Sequence, residues 1–88
     1  MGNLTTTEPF EGTVSTSEIT INFTIRVKRV FIINDSTTRN LQVKFASTEN
    51  FGTLKPNEEL DFDHHNTEQI ILDSPSGNAV EYRVWGFG

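Results

Sequence analysis

Apolar and polar residues alternate along most of this chain with a period of two. In "EITINFTIRVK", Ile19, Ile21, Phe23, Ile25 and Val27 alternate with Thr20, Asn22, Thr24, Arg26 and Lys28. Side chains on a strand point to opposite faces in turn, so this run predicts a strand with one apolar face. The phase then breaks: Arg29 falls on an inward position, and Val30 to Ile33 are apolar on both faces. A bulge or bend near Lys28 and Arg29, carrying the chain from one sheet to another, accounts for the break. Asn34-Asp35-Ser36 ends the run as a polar turn.

Shorter units follow. "LQVKF" alternates at Leu41, Val43 and Phe45, and "FGTL" leads into a turn at Lys55-Pro56-Asn57. "ELDF" alternates at Leu60 and Phe62, "HHNTE" reads as a loop, and "QIILD" as a compact apolar strand. Ser74 to Asn78 make a turn before the alternation of Val80, Tyr82 and Val84. No segment sustains a helical period beyond two turns. Short strands between regular turn signals predict an all-β fold: an antiparallel β-sandwich, Ig-like or jelly-roll-like, or a small barrel. Residues 1–17 are rich in Thr and Ser, with Leu4, Phe10 and Val14 to bury and Pro9 and Gly12 as interruptions. They read as an extended N-terminal arm or edge strand, and residues 18–88 as a single domain.

Composition adds constraints. At 88 residues without cysteine, the chain has neither disulfide nor thiolate-bound metal to support a small core. Oligomerisation is a common remedy for domains of this size. The net charge of −5 argues against a nucleic-acid partner, because phosphate neutralisation needs a basic face. The charge is also unevenly spread. Arg26, Lys28, Arg29, Arg39 and Lys44 form a basic stretch, and Glu58, Glu59, Asp61, Asp63, Glu68 and Asp73 an acidic one. Such a split is able to steer head-to-tail contacts between copies. No signal peptide or apolar transmembrane run is evident, so no membrane association is expected. "MGNLTT" fits a permissive myristoylation pattern, and three N-x-[ST] sequons read as by-products of an Asn- and Thr-rich composition.

One stretch resembles chemistry. In "DFDHHNTE", a strand would place Asp61, Asp63 and His65 on one face, a set able to hold a cation if another ligand joined it. No specific metal signature accompanies it. The simpler expectation is that Leu60 and Phe62 face the core while the aspartates face water. No nucleophile elbow, phosphate-binding glycine loop or testable carboxylate pair is present, so no catalytic residue, cofactor or metal is expected. Core packing is the expected fate of most of the aromatics Phe10, Phe51, Tyr82, Trp85 and Phe87, whereas Trp85 and Phe87, in the terminal "VWGFG", are exceptions suited to contact.

From Val30 onward the chain resembles small all-β virion proteins of tailed bacteriophages. The residues that carry this are "VFIINDSTTRNLQVKF", then "LKPNEEL", where Asn57 replaces the glycine usual in that turn, then "YRVWGFG". The resemblance implies a non-enzymatic capsid decoration protein, or a tail or head–tail component, made in the host cytoplasm and carried in the virion. Its partners would be the major capsid protein or other virion proteins, and copies of itself. Candidate partner contacts are Leu4, Phe10, Arg26, Lys28, Arg29, Trp85 and Phe87. A carbohydrate- or receptor-binding module using the exposed aromatics is the alternative.

Overall fold

A computed structural model describes residues 7–88, except the side chains of Phe62, His64, His65 and Asn66. Leu4 lies outside the described residues. The described chain is all strand and turn: β1 (Thr7–Val14), β2 (Ile19–Asn34), β3 (Leu41–Lys44), β4 (Gly52–Leu54), β5 (Glu59–Asp73) and β6 (Val80–Phe87). Every pairing is antiparallel, and the hydrogen-bonded order is β1-β6-β2-β5-β3-β4.

The two long strands turn this single order into two faces. The second half of β2, Arg29 to Ile33, pairs with β6 on one side and with the first half of β5 on the other. The first half of β2, Ile19 to Asn22, pairs with the second half of β5, which in turn pairs with β3. One layer is therefore β1, β6, late β2 and early β5. The other is early β2, late β5, β3 and β4. This is a jelly-roll sandwich in which β2 and β5 each cross between layers.

The crossing lies where the apolar phase breaks. Inward positions on β2 are odd up to Val27 and even from Val30 to Asn34. The β2–β5 register slips between Asn22 and Val27 and again between Val27 and Arg29. Adding residues to one strand of a pair bends it and raises its twist. Arg29, inward by simple alternation, is thereby turned outward.

Two expectations are corrected here. "ELDF" and "QIILD" are not separate strands, and "HHNTE" is not a loop, because β5 runs unbroken from Glu59 to Asp73. The irregularity between the Val27–Thr67 and Arg29–Asp63 pairings absorbs the polar residues without ending the strand. A β-bulge leaves no turn signature in a sequence, so it reads as a loop.

Between the layers, Val14, Val27, Val30, Ile32, Leu41, Ile70, Leu72, Val80 and Val84 are almost wholly buried. Each contributes on the order of 1.5–3 kcal/mol of transfer free energy, against the entropy of ordering the chain. Residues 7–14 belong to this core: Val14 is buried, and Phe10 meets Phe23 edge to face at 5.6 Å between ring centres. The segment is thus an integral edge strand, paired with β6 over its whole length.

One polar residue is as buried as the aliphatic ones. Asn34 is 0% exposed; its Nδ2 donates to the carbonyls of Arg39, Leu54 and Lys55 at 2.8, 3.0 and 3.1 Å. Its Oδ1 accepts from the Ser36 amide at 2.9 Å. These bonds tie the β2–β3 connection to the end of β4. The next turn places Asn57 at φ 62°, a left-handed conformation that Asn tolerates better than most residues.

Candidate functional site

The outward side chains of the first layer form a grid fixed by strand register. One row across the strands is Pro9, Trp85, Phe31 and Asp61. The row toward the chain end is Thr7, Phe87, Arg29 and Asp63, and the row on the other side is Glu11, Arg83, Ile33 and Glu59. Trp85, Phe31, Phe87 and Ile33 are each only half-buried, on the side facing away from the core. A row of aromatic and branched side chains on an outer sheet face has no packing role within its own sandwich.

Two arginines frame this patch. Arg29 Nε and Nη2 donate to Asp61 Oδ1 and Oδ2 at 2.9 and 2.7 Å. Arg83 Nε and Nη2 donate to Asp35 Oδ2 and Oδ1 at 2.7 and 3.0 Å. Each guanidinium is stabilised in its charged form, first by the hydrogen bond and then by the charge of its aspartate. The Asp61 carboxyl is held below its ordinary range chiefly by the hydrogen bond from Arg29. The patch thus has an apolar centre and a rim of paired arginines, while Glu11, Glu59 and Asp63 stay exposed around it. Aromatic and Arg enrichment over an apolar centre is the composition of protein–protein interfaces.

The expected contact residues divide accordingly. Trp85, Phe87 and Arg29 come together on this face. Phe10 faces the opposite way, against the core. Arg26 and Lys28 are exposed on the part of β2 that leaves the β5 register. Phe31 and Ile33 belong to the patch but were not singled out from the sequence, where "VFII" reads only as a doubly apolar run. Their outward direction depends on where the bulge falls.

The charge split also changes meaning. Because β2 pairs with β5, the basic and acidic stretches lie side by side, and the Arg29–Asp61 pair neutralises part of each within one molecule. The two stretches are not opposite ends of the domain.

Other chemistry is sparse. Among the described residues, no group of three or more His, Cys, Asp or Glu is gathered as a metal site would need. The candidate cation set includes His65, whose side chain lies outside the described residues; Asp61 is engaged by Arg29. Tyr82 belongs to the buried core, with its hydroxyl over Gly12 of β1, and burial pushes its hydroxyl pKa up. A mostly apolar cleft of about 290 Å³ opens between the β3–β4 hairpin and Leu60, lined among others by Val43, Leu54 and Phe45. A shallower one of about 320 Å³ is lined by Glu11, Asp35, Glu81 and Arg83. Among the described residues no helix is long and apolar enough to cross a membrane.

No family model matches this sequence. No curated protein matches it at significant similarity. Several solved structures share the architecture. A cupin domain of an XRE-family transcriptional regulator from Enterobacter cloacae superposes with TM-score 0.65 at 12% identity, over 91% of this chain and 79% of that one. A subunit of the endospore appendages of Bacillus, which form disulfide-linked pili, gives 0.63 at 9%, over 93% and 84%. A de novo designed double-stranded β-helix gives 0.57 at 19%, over 90% and 97%. At such identities the likeness establishes the fold alone: an antiparallel double-stranded β-helix, within the expected jelly-roll class.

Proposed function

We propose that this chain is a non-enzymatic structural subunit that docks onto other proteins of an assembly through the outer face of its first layer. The observation that carries this reading is the half-exposed row of Trp85 and Phe31, flanked by Phe87 and Ile33 and framed by arginines paired to aspartates. Burying such a face against a partner removes apolar area from water, and the ion-paired rim sets its orientation. A bacteriophage virion protein, most simply one that decorates or cements a capsid, is the particular form that the sequence resemblance supports. The likeness to a pilus-forming subunit is consistent with a role in assembly. This chain has no cysteine, so any comparable assembly would be non-covalent.

Purified particles provide the test. The chain is expected in the virion at a fixed ratio to the major capsid protein, and a Phe31→Ala, Trp85→Ala variant is expected to incorporate at least tenfold less. Wild-type incorporation of that variant, or particles lacking the chain, would overturn the reading. A glycan array run with the same variant separates the alternative, since sugar binding lost in the variant would assign the aromatics to carbohydrate instead.

A further inference from the structure

We infer that the first occupant of this outer face is a second copy of the chain, packed face to face about a two-fold axis running along the strands midway between β6 and β2. The inference rests on the reading of that face as a docking surface and names its partner. Strand register sets which residues meet. Such an axis exchanges β6 with β2 and β1 with β5 while preserving each row. Trp85 of one copy then lies over Phe31 of the other, and Phe31 over Trp85, because the two residues are cross-strand neighbours. In the next row Phe87 lies over Arg29, and in the third Arg83 lies over Ile33.

The three central superpositions join compatible chemistry. Trp on Phe is an aromatic pair. Arg29 has its hydrogen-bonding edge occupied by Asp61, which leaves the planar faces of the guanidinium free to stack on a ring. Arg83 is held by Asp35 in the same way over an aliphatic partner. The acidic edge strand also meets neutral groups in two of the three rows, with Asp61 over Pro9 and Asp63 over Thr7. Like charges meet only at the rim, where Glu11 of each copy opposes Glu59 of the other. An axis across the strands is poorer: it places Asp63 over Glu59 and opposes Trp85, Phe31 and Asp61 each to its own copy. A two-fold interface is isologous, so the self-complementary arrangement is the one symmetry requires.

Trp85 is the sole tryptophan of the chain, so its emission reports on this face directly. Sedimentation equilibrium and Trp85 fluorescence are measured together across protein concentration. The expected result is a dimer whose formation shifts Trp85 emission to the blue along the same isotherm. Phe31→Ala, on an outward and half-exposed position, is expected to raise the dissociation constant about tenfold or more and to move both signals together. Glu59→Gln, at an exposed position, removes the opposed charge and is expected to tighten the dimer a few-fold at low salt. A dimer with unchanged Trp85 emission places the contact elsewhere and overturns the inference, as does loosening by Glu59→Gln. A monomer at every concentration also overturns it, yet leaves the docking function standing, because particle incorporation tests that separately.

Discussion

Arg29 and Asp61 meet diagonally across the β2–β5 pairing, two register positions away from direct opposition: Asp63 is the register partner of Arg29, and Phe31 that of Asp61. Two hydrogen bonds, at 2.9 and 2.7 Å, close the contact over the edge of Phe31's row. The pair joins the basic and the acidic stretch of the chain, and it stands at the crossing point of the two layers.

The pH dependence of this pair has a definite sign. Asp61 has a folded-state pKa below its unfolded value, owing first to the hydrogen bond from Arg29. Its contribution to stability is therefore present above the ordinary aspartate range and is lost as pH falls through the depressed folded value. The gap in thermal midpoint between wild type and Asp61→Asn should be constant near neutrality and close at acid pH. The pair is exposed, so the gap should be small and shrink in salt. A gap that widens in acid would contradict the assignment.

Asn34→Ala should be costly. Substitution leaves three carbonyls and the Ser36 amide without their side-chain partner in a buried setting. The expected loss is about 2–4 kcal/mol, read from the urea midpoint. A loss under about 1 kcal/mol would show that water or a shifted turn replaces the side chain.

Gly86→Ala tests the packing of the last strand on the bend of β2. A Cβ there would stand 2.6 Å from Phe23 Cε1 and 2.9 Å from Val27 Cγ2. Val27 is fully buried and has no room to retreat. Overpacking of this kind costs about 1–3 kcal/mol. Chemical denaturation of the variant supplies the number.

Asn57 is a gentler probe. At φ 62° glycine is free of strain, so Asn57→Gly should be neutral or slightly stabilising. Asn57→Val, β-branched, should cost about 1–2 kcal/mol. Equal stability of the two variants would mean that the turn relaxes out of the left-handed region.

Removing residues 1–12 should unfold or strongly destabilise the domain, not merely weaken docking. The cut takes most of β1, including Phe10 with its edge-to-face contact to Phe23. Circular dichroism of the truncated chain against wild type decides it.

The alternation from Ile19 to Val27 and its break at Arg29 were enough to place a strand and a bend between sheets. Strand periodicity is a local property, carried by which residues need burial. The polar turns at Asn34 and Lys55–Asn57 were legible for the same reason: their backbone demands select particular residues. β5 was not legible as one strand, because "HHNTE" offers no apolar partner to continue the period. Its continuity comes from hydrogen bonds to β2, distant in sequence. Trp85 and Phe87 stood out as exposed aromatics by their position, but Phe31 did not, since an apolar residue between apolar neighbours has no visible direction.

By itself, then, the sequence determined the all-β class, the alternating core of β2 and β6, the turns, and the lack of any thiol chemistry. These follow from side-chain type and nearest neighbours. The tertiary structure alone decided that β2 lies against β5, so that opposite charges pair within one molecule, and that Trp85 and Phe31 become neighbours on an outer face. Both depend on register between residues far apart in the chain, which loop closure and core packing select together and no local pattern encodes.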